Sequence, residues 1–302
     1  MLRKLAPALV APLLLVIACA SQGIEGAVEV KTGAVAMEAL ESAPDAAAEA
    51  GTAAFEMVIS TTDDDQAFEF VATGVFDSDE QQMAMEMDLG AMFAGLAEST
   101  GETQPADFDE PFRFVVDGTT VYLRFPMLDA LTGSSDWLSA TAEDLGQSAD
   151  SLGIGNTGYD PSKLLEVLRG VTDDVEAAGE DEVRGVPTTR YTATVSLVEA
   201  LEQAPPDQRE PLEAQLDQLG AGDADIPVEV WVDADGLPRR MIMGFDGLLA
   251  TAGVGAGASV EISMELFDYG DPVEIEVPSP DEVTPYTEVL GALGGAFGAA
   301  GS

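Results

Sequence analysis

Carboxylates are the one titratable side chain this chain holds in abundance, 56 Asp plus Glu in 302 residues, and no histidine accompanies them. Without imidazole, the commonest general base, the Ser-His-Asp and Cys-His relays and the imidazole metal sites are all excluded. The run Asp63-Asp64-Asp65 lacks the alternating ligand spacing of a calcium loop and reads as a solvated hairpin tip. Asp233-Ala234-Asp235-Gly236 opens like such a loop, but its twelfth place is Gly244 and not Glu, which leaves a turn. Gly253, Gly255 and Gly257 imitate a phosphate cradle in letters only, because a dinucleotide site needs a strand before and a helix after, and this stretch leads into a strand. Carboxylate pairs can be drawn anywhere among so many acids, so none marks an acid-base site. No catalytic residue, metal or cofactor is expected, and the chain reads as a non-enzyme. Trp137 and Trp231 read as structural anchors, and Tyr191 as a hydroxyl at a strand edge. Arg239-Arg240 reads as a solvated edge that discourages strand-to-strand association.

With 12 Lys plus Arg, the formal net charge is -44, which repels phosphate and makes nucleic acid an improbable partner. One cysteine excludes an internal disulfide. Residues 1–20 carry Arg3 and Lys4, then an apolar run that ends at Cys19, the pattern of a signal peptide. Val16-Ile17-Ala18-Cys19 resembles the lipobox of bacterial lipoprotein precursors, which makes Cys19 the expected first mature residue and the site of lipidation. The alternative is an ordinary secretory signal whose cysteine is incidental. Removal of residues 1–18 leaves ten basic and 56 acidic groups, a charge of -46 that anionic headgroups repel. Acyl chains, at about 0.8 kcal/mol per buried methylene, would have to supply the attachment. The expected layout is a signal peptide over 1–18, a lipidated cysteine and tether over 19–32, one domain over 33–285, and a Gly/Ala-rich hydrophobic tail over 286–302. The protein is expected to cross the cytoplasmic membrane and stay anchored to its outer face.

The mature chain is dominated by period-two alternation, the mark of half-buried strands. Phe55, Met57 and Ile59 alternate with Glu56, Val58 and Ser60, and Met83, Met85, Met87 and Leu89 with Gln82, Ala84, Glu86 and Asp88. Phe112, Phe114 and Val116 run to Asp117-Gly118 and return through Val121, Leu123 and Phe125, a hairpin. Stretches 173–180 and 186–197 flank a charged turn at Glu180, Asp181 and Glu182. Val228, Val230 and Val232 turn at Asp235-Gly236 and return through Met241 and Met243, with further strands at Val260–Leu266 and at Val273, Ile275 and Val277. Short turns between neighbours point to an antiparallel meander. Helices are expected over 33–42, from Asp160-Pro161 to Gly170, and over 198–219 with a break at Pro205-Pro206.

The order of these elements resembles the LppX/LprG-type lipoproteins of actinobacteria, themselves similar in fold to the LolA and LolB lipoprotein carriers. The residues that carry the resemblance are the lipobox at Cys19, Tyr159-Asp160-Pro161 before a Leu-rich helix, and Glu182-Val183-Arg184-Gly185-Val186-Pro187 running into Thr189-Arg190-Tyr191. Val228 to Arg240 and Phe267-Asp268-Tyr269-Gly270-Asp271-Pro272-Val273 complete it. The resemblance implies an α+β fold, a single strongly curved antiparallel sheet (a half-barrel) of about ten strands wrapping a few helices. It also implies a space between sheet and helices that accepts acyl chains. Few helices facing many strands leave apolar wall uncovered, and unbranched thioethers repack around different hydrocarbon shapes. The expected lining is Phe68, Phe70, Met83, Met85, Met87, Phe114, Leu123, Val230, Met241, Met243, Ile262 and Met264. The expected function is binding of an acylated lipid or lipoprotein as cargo, in transit across the envelope, with the membrane held through the covalent anchor. The alternative is a protein-interaction or sensing module whose cavity is filled by its own side chains. An extreme acidity and a hydrophobic Gly-rich tail depart from the family pattern, and the first argues against strongly anionic headgroups.

Overall fold

The computed structural model describes residues 33–63, 66–88, 111–124, 137–141, 144, 175–196, 209, 213, 225–245 and 259–288. The Ala-rich segment forms helix α1 (Gly33–Ala50), eight residues longer than the expected 33–42. Ala36, Leu40, Ala43 and Ala47 recur at spacings of four, three and four and are at most 1 % exposed, so they make one buried stripe of small side chains. Pro44 lies inside the helix and removes one backbone donor without ending it. Gly51, at φ +76°, ends α1, and its N–H bonds to the Ala48 carbonyl at 3.2 Å.

Most of the other described residues form one sheet. Its strands are β1 (Thr52–Asp63), β2 (Gln66–Asp77), β3 (Gln82–Asp88), β4 (Phe112–Asp117), β5 (Thr120–Arg124), β6 (Trp137–Thr141), β7 (Glu176–Val183), β8 (Val186–Ser196), β9 (Asp225–Asp233), β10 (Pro238–Gly244), β11 (Ser259–Phe267) and β12 (Val283–Pro285). They stand in the order β12-β6-β5-β4-β3-β2-β1-β11-β10-β9-β8-β7. The sheet is curved and does not close, and it has twelve strands where about ten were expected. Every pairing is antiparallel except β12 with β6. Two halves, β1–β6 and β7–β11, meet where β1 pairs with β11, a contact between segments some 200 residues apart in sequence. The buried stripe of α1 shares one hydrophobic core with residues of both halves.

Several sequence expectations change. The acids Glu180, Asp181 and Glu182 lie on β7, and the chain reverses instead at Arg184 and Gly185, both at positive φ. Val273, Ile275 and Val277 do not form a strand. Residues 268–282 leave β11 and travel as an extended strap, anchored where the Gly270 N–H bonds to the Thr52 carbonyl and the Thr52 Oγ1 to the Asp271 carbonyl. The strap ends in one turn of 3-10 helix, Pro280–Glu282, and delivers β12 to β6. Alternation alone does not reveal that the ladder partner is absent. The helices expected at 160–170 and 198–219 lie outside the described residues apart from Arg209 and Glu213, both helical. Gly253, Gly255, Gly257 and residues 1–32 and 289–302 also lie outside them.

Arg239-Arg240 is not at an edge, since β10 is an interior strand. A bulge between Pro238 and Arg240 turns both guanidiniums to the outer face. There Arg239 Nε bonds to Asp233 Oδ2 at 2.7 Å, and Arg240 Nε to Glu265 Oε1 at 2.8 Å. Glu265 also takes Arg184 Nε at 2.6 Å, which fastens the β7–β8 turn to β11. Each arginine covers a ring: Arg184 over Phe267 at 3.9 Å, Arg239 over Tyr269 at 5.0 Å, Arg190 and Arg240 over Trp231 at 6.0 and 5.4 Å. Trp231 is therefore an anchor on the outer face with 3 % exposure, and its indole N–H donates to Asp181 at 3.0 Å. The edge guard is β7 itself, with exposed Glu176, Glu180 and Glu182 and a bulge between Ala177 and Gly179.

Burial alone would raise the Glu265 carboxyl, but hydrogen bonds and charge from Arg240 and Arg184 outweigh it and hold the group below its ordinary value. With the folded-state value depressed, the stabilisation is complete above the ordinary 4.5 and is lost as pH falls through the depressed value. Glu265→Gln is expected to cost about 2 kcal/mol near neutrality, because it leaves two guanidiniums short of a carboxylate. Urea unfolding of the two proteins from pH 7 downward checks this. The gap between them should shrink once the pH falls below 4.5.

Candidate functional site

Strand alternation sorts the side chains onto two faces, and the contact with α1 identifies the inner one. Backbone register then aligns inner residues into rows that cross the sheet. The central row is Tyr191, Val230, Met241, Met264, Met57, Ala72, Met87 and Phe112, one residue from each strand between β8 and β4. Sulfur-bearing side chains from β10, β11, β1 and β3 thus lie side by side although they are far apart in sequence. Tyr191 belongs to this inner row at 1 % exposure, and not to a strand edge as expected. Among the described side chains, the inner faces of β1–β6 and β8–β11 carry no carboxylate, ammonium or guanidinium. Charge is confined to the outer face and the rims.

Cover over this wall is graded. Two residues beyond the central row plus two more, Ala53, Phe76, Met83, Val116, Val121 and Ala140 form a row at 0–2 % exposure. Between the two, Phe55 lies in register with Gly74, and an added Cβ on Gly74 would stand 2.5 Å from the Phe55 ring. On the other side, the row Ala193, Val228, Met243, Ile262, Ile59 and Phe70 is buried at its β8 and β9 members and half-buried from β10 to β2. Among the described residues the wall is thus sealed at the end near the β2–β3 and β4–β5 turns and less covered toward the β1–β2 hairpin, over β10, β11, β1 and β2.

Of the residues expected to line a cavity, Phe70, Met83, Met85, Met87, Phe114, Leu123, Val230, Met241, Met243, Ile262 and Met264 all lie on this inner face. Phe68 sits in β2 opposite Thr61. Met83, Met85, Phe114, Val230, Met241 and Met264 are buried, at 9 % exposure or less, whereas Phe70, Met87, Leu123, Met243 and Ile262 are half-buried. Met57, Ile59 and Phe112 share the wall but were not among the expected lining. Their alternation was readable, and only the register places them beside the others. Cys19 lies outside the described residues.

Among the described residues, cavities lie against the outer face and at the β7–β8 turn. One of about 590 Å³ lies between the strap and the sheet, bounded by Glu274 and Glu276 on one side and Thr73, Val75, Ala84, Glu86, Arg113, Val115 and Trp137 on the other. The other, about 300 Å³, is bounded by Val183, Arg184, Val186, Arg239, Leu266, Phe267 and Asp268. Neither opens on the central inner row. The Asp233 turn holds no free ligand set: Oδ1 accepts the N–H groups of Asp235 and Leu237 at 2.9 and 3.0 Å, and Oδ2 accepts Arg239. Asp63 closes the β1–β2 hairpin opposite Gln66, while Asp64 and Asp65 lie outside the described residues. No described helix is long and apolar enough to cross a membrane.

The class so defined is an open, curved, mostly antiparallel sheet with one wall that is free of charge among its described side chains. Solved structures similar to the chain include the lipoprotein LppX of Mycobacterium tuberculosis, at 14 % identity and a TM-score of 0.46, over 80 % of this chain and 99 % of that one. LprF from Mycobacterium bovis is similar at 15 % identity and a TM-score of 0.43, over 81 % and 97 %. A LolA superfamily protein from Nitrosomonas europaea follows at 11 % identity and a TM-score of 0.27, over 77 % and 94 %. By sequence the chain is 27 % identical over 175 residues to a Streptomyces griseus protein named as an uncharacterized 31.2 kDa protein in the rplA-rplJ intergenic region. That match covers 56 % of this chain and 54 % of the relative, so the chain spans about half the length of the curated relative it matches. No family model matches.

Proposed function

We propose that this chain is a membrane-anchored lipoprotein that binds an acylated lipid or lipoprotein on the inner wall of its sheet and carries it across the cell envelope. The observation that supports binding is the wall itself: apolar across the sheet, uncharged among its described side chains, and only half-buried over Met57, Ile59, Phe70, Met87, Met243 and Ile262. Such a wall gains about 25 cal/mol for each Å² of hydrocarbon contact and offers no charged group to a polar cargo. Binding needs no covalent chemistry. Seven inner methionines, Met57, Met83, Met85, Met87, Met241, Met243 and Met264, suit chains of differing shape because the thioether has low torsional barriers and a polarisable sulfur.

Lipidation at Cys19 and placement on the outer face of the cytoplasmic membrane are part of the same proposal. Protein made without residues 1–19 is expected to co-purify with hydrocarbon detectable by mass spectrometry and, once delipidated, to take up a fluorescent fatty acid. A protein that is consistently empty and takes up none would refute acyl binding and favour the interaction module with a filled interior. In the full chain, Cys19→Ala is expected to move the protein from the membrane to the soluble fraction, which fractionation and immunoblotting read directly. Retention of the variant at the membrane would refute the anchor.

A further inference from the structure

The inner methionines fall into two groups that differ in reach. Met83, Met85, Met241 and Met264 are buried, at 0, 9, 1 and 2 % exposure. Met57, Met87 and Met243 are half-buried and pack against the same core from its uncovered side. Met57 and Met87 belong to the central row on either side of Ala72, and Met243 to the uncovered row beside Ile262. An oxidant in solvent reaches these three half-buried side chains before the four buried ones, Met241 and Met264 included although they share the central row. Ile59, Ile262 and Phe70, their neighbours on the wall, are inert to such a reagent.

We propose that Met57, Met87 and Met243 form an oxidation site by which a peroxide switches the acyl-binding wall off; the proposal rests on the acyl-binding function above. A hydroperoxide transfers its terminal oxygen to the thioether sulfur. The O–O bond breaks, an S=O bond forms, sulfur loses two electrons, and the peroxide leaves as water or the corresponding alcohol. The product carries a strong dipole and a hydrogen-bond acceptor on a wall whose described side chains hold no charged group and few donors. A hydrocarbon laid over that acceptor strips it of water and returns nothing, so affinity for the chain falls. Half-burial lets each sulfoxide turn toward water when the wall is empty, so the fold survives and the change is confined to binding. The methyl sulfoxide is reversible by methionine sulfoxide reductases, which makes the site a switch and not a lesion.

Delipidated protein lacking residues 1–19 is treated with increasing hydrogen peroxide, and each sample is split between peptide mass spectrometry, circular dichroism and titration with a fluorescent fatty acid. The expected result is sulfoxide at Met57, Met87 and Met243 before Met83, Met85, Met241 and Met264. Fatty-acid affinity should fall at least about tenfold in step with it while the far-ultraviolet spectrum is unchanged. Methionine sulfoxide reductases should restore affinity. In M57L/M87L/M243L, whatever its starting affinity, peroxide should change that affinity less than about twofold. Equal oxidation of all seven sulfurs, or oxidation of the three with affinity unmoved, overturns the switch. Loss of affinity that tracks loss of the folded spectrum also overturns it. If untreated protein takes up no fatty acid, acyl binding has failed and the switch falls with it, whereas ordered oxidation alongside normal uptake and no loss of affinity defeats the switch alone.

Discussion

Gly74→Ala destabilises the protein by about 3 kcal/mol and lowers Tm by roughly 6–12 °C, and Gly74→Val fails to fold. Gly74 sits mid-strand in β2, where a side chain would ordinarily help. Its place is instead taken by the Phe55 ring, which lies across it from β1 and is only 2 % exposed. A Cβ would meet the Phe55 ring at 2.5 and 2.7 Å and the Ala84 carbonyl oxygen of β3 at 2.4 Å. The carbonyl is backbone held in the β2–β3 ladder and the ring is enclosed, so neither can move aside cheaply. Thermal unfolding of the two variants measures the cost. A double variant with Phe55→Ala tests the cause: space left by the ring should relieve about 1–2 kcal/mol, making the pair less harmful than the sum of its members. Additive effects would mean the ring is not the obstacle.

Met243→Glu is expected to leave the fold in place and weaken fatty-acid uptake by about tenfold to a hundredfold. Met243 is half-buried in the uncovered row, so a carboxylate there can reach water when the wall is empty and need not unfold the sheet. Hydrocarbon over the same position must desolvate that charge, and the described inner side chains offer no cation to neutralise it. Charge at large is the confounder in a chain of net charge -44, since one further negative charge adds repulsion toward an anionic probe. Val71 supplies the control: it is 37 % exposed and points outward from β2, so Val71→Glu adds the same charge on the opposite face. Titration of both variants with the same fluorescent fatty acid separates the cases. Equal weakening by both would assign the effect to net charge and count against the inner wall as the site.

Much of this architecture was legible in order and idiom. The period-two runs at Phe55–Ile59, Met83–Met87, Phe112–Val116 and Val228–Val232 became strands with the expected faces, because alternation is a local property of a half-buried strand. The places where the reading changed all depend on what lies alongside. Glu180–Glu182 look like a turn because a lone strand has no cause to carry three acids, yet at the open edge of a sheet they discourage a further strand. Val273, Ile275 and Val277 alternate like a strand, but their segment crosses the sheet as a strap and no ladder receives it. Arg239 and Arg240 gave no sign of sharing a face, since consecutive strand residues point opposite ways unless a bulge intervenes, and only the β9–β10 register reveals one.

Residue types and their spacing alone determined that this protein has no imidazole chemistry, that its strands present one apolar face, and that its charge is overwhelmingly negative. These are sums over residues or patterns within a few positions, and no partner segment is needed to read them. Tertiary structure alone decided that Met57, Met87, Met241 and Met264 stand in one row, and that cover over the wall fades toward Phe70 and Met243. It also decided that four arginines cover three aromatic rings. The physical reason is that strand order and register come from hydrogen-bond ladders between distant segments. The β1–β11 pairing joins residues some 200 positions apart, and a one-residue slip in it would reverse every face without altering a letter of the sequence.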